Sequence, residues 1–184
     1  MNVFVLDPCP YQSAKLLYKL DKVRANKQIV ELCQMMATLV SYDVPKKDGT
    51  PYKRPVSISK HQATLWVTNN FSWCRDYLYE LIIACTCGNP LSHGCYGAWL
   101  ALGNSPKNTG YYNTKFYFLS KIVPVQDILG RQPDSNCDIL IANAAYIFAK
   151  RCGIFQDKDN IRLGDYLELR SSFLSMAKNF LANS

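Results

Sequence analysis

Residues 27–41 read Lys27-Gln28-Ile29-Val30-Glu31-Leu32-Cys33-Gln34-Met35-Met36-Ala37-Thr38-Leu39-Val40-Ser41, and their periodicity decides the fold class. Ile29, Leu32, Cys33, Met36, Leu39 and Val40 recur at three- and four-residue spacing, which on a helix gathers them on one apolar face. Lys27, Glu31, Gln34 and Thr38 then fall on a polar stripe. The spacing predicts a helix over 27–41.

Working outward, the same period continues on both sides. From Ser13, the residues Leu16, Leu20 and Val23 keep helical spacing, with Lys15, Lys19 and Lys22 as an adjacent basic stripe. Residues 2–6 read as a short extended segment, and Pro8 and Pro10 break the chain after it. Downstream, residues 43–60 hold Pro45, Gly49, Pro51 and Pro55 among basic residues and read as a loop. Helical periodicity returns over 61–87, with a break near Asn69 and Asn70 and a stop at Gly88, Asn89 and Pro90. A short helix follows over 94–102, then a loop over 103–113. The aromatic run Tyr111, Tyr112, Phe116, Tyr117 and Phe118 fits strand and helix equally. Ser135 or Asn136 caps a helix through Arg151, with Gly153 as its stop. Leu163, Tyr166, Leu167, Phe173, Leu174, Ala177, Phe180 and Leu181 define a last helix. The expected fold is mainly α, one compact multi-helix domain over 1–184 with a short extended N-terminal segment. No internal repeat or linker argues for two domains.

Composition narrows the function classes. Of 184 residues, 48% are hydrophobic and 19% charged, which is globular rather than disordered. The longest apolar candidate, Leu78 to Cys87, is interrupted by Glu80 and Thr86 and is too short to span a bilayer. The opening residues lack the basic region and cleavage site of a secretion signal, so the expected location is the cytoplasm and the eight cysteines are expected as buried thiols. The formal net charge is +7. Lys15, Lys19, Lys22, Arg24 and Lys27 crowd one stretch, and Lys46, Lys47, Lys53, Arg54 and Lys60 a second, while Asp157, Asp159, Asp165 and Glu168 collect late. This asymmetry predicts one basic face that binds a polyanion through counterion release, and DNA is the expected partner rather than a membrane.

The motifs of nucleotide-binding loops, zinc proteases and serine hydrolases are absent. Cys85, Cys87, His93 and Cys95 offer four soft ligands, but their spacing is not that of a standard structural zinc site, and no metal is expected. Glu31, one turn after Lys27, reads either as half of a helix-stabilising ion pair or as a general acid/base facing DNA. His61, directly after the basic loop, is a candidate phosphate or base contact. Trp66, with Tyr111 and Tyr112, is a candidate stacking residue.

Several of these residues also resemble a known pattern. Met1-Asn2-Val3-Phe4-Val5-Leu6-Asp7, then Tyr18-Lys19-Leu20-Asp21-Lys22, then Lys27 to Gln34, resemble the opening of a bacteriophage family described as pyrimidine dimer DNA glycosylases, distant relatives of the endonuclease V type. That opening runs M-N-I-F-V-L-D, Y-H-x-D-K and K-x-x-x-E-x-x-Q. His61-Gln62-Ala63-Thr64-Leu65-Trp66 is similar to the family's H-P-x-x-x-W without its proline, and His93 is similar to a later histidine. The resemblance covers about residues 1–95. Lys19 stands where the family has histidine, and the bulk of Asn2 predicts retention of Met1.

The resemblance implies a helical DNA-binding protein that extrudes a nucleotide. Met1 supplies an α-amine to attack the sugar C1′, and Glu31 supplies the assisting carboxylate. An α-amine titrates at about 7.7–8.0 against about 10.4 for lysine, so more of it is nucleophilic near neutrality. Lys19, Lys22, Arg24, Lys27, Lys53, Arg54, His61, Trp66 and His93 are the expected DNA contacts, and no cofactor is required. Two alternatives stay open: an enzyme that modifies a flipped pyrimidine, and a catalytically inactive DNA-binding or host-interaction protein.

Overall fold

The extended segment at the N-terminus is the piece around which the helices pack. In the computed structural model, which describes residues 2–53, 61–103, 123–155 and 162–184, Val3, Phe4, Val5 and Leu6 are all buried. A strand with one solvated face buries alternate residues. Here every side chain is covered, because helices surround the segment and no sheet forms among the described residues.

A buried peptide outside a sheet or helix must find other hydrogen-bond partners. Side chains provide them. Gln28 accepts from the Phe4 amide at 2.9 Å and donates to the Asn2 carbonyl at 2.8 Å, so one side chain imitates a neighbouring strand. The Tyr77 hydroxyl donates to the Phe4 carbonyl at 2.6 Å, Asn143 to the Val5 carbonyl at 2.9 Å, and the Leu6 amide donates to Ser13 at 3.0 Å. Trp73 donates its indole N–H to the Pro8 carbonyl at 2.7 Å. Of the six buried polar residues among those described, Ser13, Gln28 and Asn143 all serve this one segment.

The helices are α1 (Pro10–Leu20), α2 (Lys22–Ala37), α3 (Gln62–Asn69), α4 (Phe71–Cys85), α5 (Tyr96–Leu102), α6 (Val125–Leu129), α7 (Asn136–Arg151) and α8 (Leu163–Ala182). α1, α2 and α4 pack together around the N-terminal segment, and α7 packs on α8. The mainly helical, compact domain read from the sequence is what forms.

Several boundaries follow local chemistry. Pro10 does not break the chain; it opens α1 at a first-turn position where its missing N–H costs nothing. Asp21 ends α1 and caps α2, its carboxylate accepting from the Arg24 amide at 2.9 Å. Lys15 and Lys19 therefore lie on α1 and Lys22 begins α2, so the single basic stripe read across 15–22 is divided between two helices. Val23, expected on an apolar face, is 77% exposed in the first turn of α2 for the same reason. The break near Asn70 separates α3 from α4, and Gly88, at a φ of 89°, follows the end of α4 as expected. Ser135 caps α7, which ends at Arg151 before Gly153 at a φ of 79°. α6 has no counterpart in the sequence reading, being only five residues long. The aromatic run 111–118, Met1, Arg54, Lys60, Asp157 and Asp159 lie outside the described residues.

No helix of the described residues is long and apolar enough to cross a membrane.

Candidate functional site

α2 is the element that joins the candidate groups. Its polar stripe forms as its spacing implies. Glu31 accepts from the Asn2 amide at 3.1 Å and lies 3.8 Å from the Lys27 ammonium. The carboxylate is mostly buried and Lys27 mostly exposed, so the pair sits where the N-terminal segment emerges from the core.

One turn further along, Val30 and Gln34 form a wall of an open cleft of about 650 Å³. The facing wall is a tight ribbon. Val44 and Tyr52 pair through Tyr52 N–H to Val44 C=O at 3.0 Å, Lys46 donates its amide to Thr50 at 2.8 Å, and Gly49 turns the chain at a φ of 81°. The ribbon carries Lys46, Lys47 and Asp48 to the cleft mouth. Lys47 lies flat across Gly94, where an added Cβ would come within 3.0 Å of the lysine stem.

Cys95 also lines the cleft. The Tyr52 hydroxyl and the Cys95 sulfur are 3.4 Å apart, and His93 Nδ1 accepts from the Cys95 amide at 3.1 Å. The Cys33 thiol, from the buried face of α2, lies against Cys95 as well. These contacts divide the acidity of the three groups. Hydrogen bonding from Cys33, helped by Tyr52 and by the charge of His93, outweighs burial and pulls the Cys95 thiol down to about 6. Cys33 is pushed well up by its bond to Cys95 and by burial, and Tyr52 is pushed up chiefly by burial. Cys95 is thus the most acidic of the three groups.

The other expected contacts are dispersed. Lys19 donates to Ser184 at 3.3 Å and lies 5.7 Å from the Phe180 ring, at the end of α8. Lys22 covers the Tyr18 ring at 5.2 Å. Arg24 is mostly buried beside Asp21, 3.7 Å away, and so is held as part of the α1–α2 junction. Lys53 is exposed at the end of the ribbon. His61 caps α3, its Nδ1 accepting from the Thr64 amide at 3.2 Å. Trp66, a stacking candidate in the sequence, is a core residue: it is 7% exposed and meets Trp73 edge-on at 5.8 Å, which leaves no open ring face for a base. The half-buried aromatics lie elsewhere, where Trp99 stacks near Tyr79 and Tyr96 with Arg75 over its ring at 4.5 Å. Among the described residues no three metal-ligating side chains gather, so Cys85, Cys87, His93 and Cys95 are not brought together as a set. Cys87 is exposed beyond the end of α4, while Cys95 is turned inward to Cys33 and Tyr52.

The Cys33–Tyr52–Cys95 cluster was not legible in the sequence. Its members are far apart along the chain and carry no spacing signal; they meet only because the ribbon and the start of α5 both pack on α2. No family model, curated protein or solved structure matches the chain.

Proposed function

We propose that the chain is a DNA-binding protein of the base-excision type, a phage-type glycosylase with associated lyase chemistry on a damaged or modified pyrimidine. One observation carries this reading: the Glu31 carboxylate sits 3.1 Å from the amide of Asn2, one helical turn from a cleft rimmed by Lys46 and Lys47. The motif resemblance names the same two positions, the chain start and Glu31, as the reactive pair.

The chemistry follows from the groups. The Met1 amine attacks C1′ of a nucleotide turned out of the stack, the glycosidic bond breaks, and the base leaves with its electron pair and takes up a proton. The sugar is then held as an iminium, and loss of a C2′ proton expels the 3′ phosphate. Glu31 assists by moving protons at the sugar, with the Lys27 ammonium 3.8 Å away. Lys27, Lys46, Lys47 and Lys53 hold phosphates.

Borohydride trapping tests this on duplexes carrying an abasic site or a pyrimidine dimer. The expected result is a covalent protein–DNA adduct that is lost in Glu31→Gln. Absence of both adduct and strand cleavage removes the lyase. A second reading has its own support: both Glu31 oxygens are engaged in the fold, one by Asn2 and one by Lys27. Under that reading the protein binds DNA without cutting it, and Glu31→Gln leaves DNA affinity unchanged.

A further inference from the structure

The excision chemistry makes no use of the thiol cluster in the same cleft. We propose that Cys95 is a reactive thiolate that takes hydroperoxides as substrate, and that Cys33 is the thiol that resolves the oxidised product into a disulfide.

Three features of the site support this. Cys95 is only 7% exposed yet lines the cleft, so its one route to solvent is through that cleft. Its sulfur lies 3.4 Å from the Tyr52 hydroxyl, and the Cys33 thiol lies against it from α2. The groups that face it are Cys33 from α2, Tyr52 from the ribbon and His93 from the segment before α5, with Lys46, Lys47 and Asp48 on the rim. The balance of these charges is positive, which favours the thiolate and the alkoxide that departs from a peroxide.

The steps balance without another reactant. The Cys95 thiolate attacks the outer oxygen of the hydroperoxide, the O–O bond breaks, and an alkoxide leaves and is protonated to the alcohol. The product is the sulfenic acid of Cys95. The Cys33 sulfur then attacks the Cys95 sulfur, the S–O bond breaks, and hydroxide leaves with the Cys33 proton as water. Two thiols lose two electrons in total, and the peroxide gains them. The exposed thiols, Cys9, Cys87, Cys137 and Cys152, serve as internal comparators.

The test uses the reduced full chain without DNA, so its outcome is independent of the excision reading. Pulse alkylation with iodoacetamide from pH 4.5 to 9, read by peptide mass spectrometry, is expected to give a Cys95 rate that is half-maximal at about pH 6 and level by about pH 7.5. Addition of one equivalent of hydrogen peroxide is expected to link the Cys33 and Cys95 peptides with loss of two hydrogens. In Cys33→Ala the link is replaced by a Cys95 sulfenic acid that dimedone traps, and the alkylation midpoint rises because a donor is gone. A Cys95 rate still climbing through pH 8, or peroxide oxidation that falls first on Cys137 or Cys152, overturns the proposal. Both wild-type readouts stand even if Cys33→Ala does not fold.

Discussion

Two non-helical segments lie against α2, and they are stabilised in opposite ways. Residues 3–6 are apolar and buried, and side chains from four helices bond several peptide groups of the segment. Residues 44–52 are basic, largely exposed, and satisfy their peptide groups with one another. The first segment cannot move without leaving polar groups unpaired in the core. The second can exchange water for a partner and lose nothing internal. The difference separates an anchor from a surface available for binding, and α2 presents Glu31 to the one and Gln34 to the other.

The comparison breaks most visibly at Gln28. Gln28→Leu keeps the bulk and removes both bonds, stranding the Phe4 amide and the Asn2 carbonyl, and a loss of about 2–4 kcal/mol is expected by denaturant titration. A loss below about 0.5 kcal/mol would mean that water reaches the segment and that it is not an anchor. Tyr77→Phe removes one partner of the Phe4 carbonyl and is expected to cost about 1–3 kcal/mol. Burial pushes the Tyr77 hydroxyl up, so it remains a donor throughout ordinary pH and this cost should not vary with pH between 6 and 9.

A smaller effect lies away from both segments and serves as a control. Asp138 at the start of α7 accepts from Arg131 at 2.9 and 2.6 Å, which holds its carboxyl well below the usual carboxylate range against the opposing effect of burial. A depressed carboxylate adds stability above its unfolded value of about 3.9, and that stability is lost as pH falls through the folded value. Stability should therefore drop below about pH 4, and Arg131→Ala should lower the neutral plateau and flatten that drop in pH-dependent unfolding. The smallest expected change is in the ribbon: Lys46→Ala with Lys47→Ala should leave the unfolding free energy within about 0.5 kcal/mol of wild type.

Much of the helical framework is legible from period and punctuation. α2, α4, α7 and α8 show themselves through apolar spacing, and Ser135, Gly153, Gly88 and the Asn70 break mark their ends. The misreadings have local causes. Lys15, Lys19 and Lys22 keep a helical spacing straight through Asp21, so periodicity alone does not reveal that Asp21 ends one helix and caps the next. Trp66 has the ring needed for stacking, but its partner Trp73 lies on another helix, and only packing shows that the two bury each other. For the site, the Glu31 stripe was legible because it sits on one helix. The Cys95 cluster was not, since it depends on three segments brought together by tertiary contacts. The early basic cluster also divides in space: Lys27 accompanies Glu31 near the cleft, whereas Lys19 is drawn to the end of α8.

The most direct measurement of the central claim, that α2 and the basic ribbon form one polyanion-binding cleft, is DNA affinity as a function of salt for wild type and for the Lys46→Ala, Lys47→Ala double variant. The wild type should bind at low salt with log affinity falling linearly in log salt, and the variant's slope should be shallower by about 2, near 0.9 for each lysine that neutralises a phosphate. Wild type that fails to bind at low salt, or two proteins whose slopes coincide, would contradict the account.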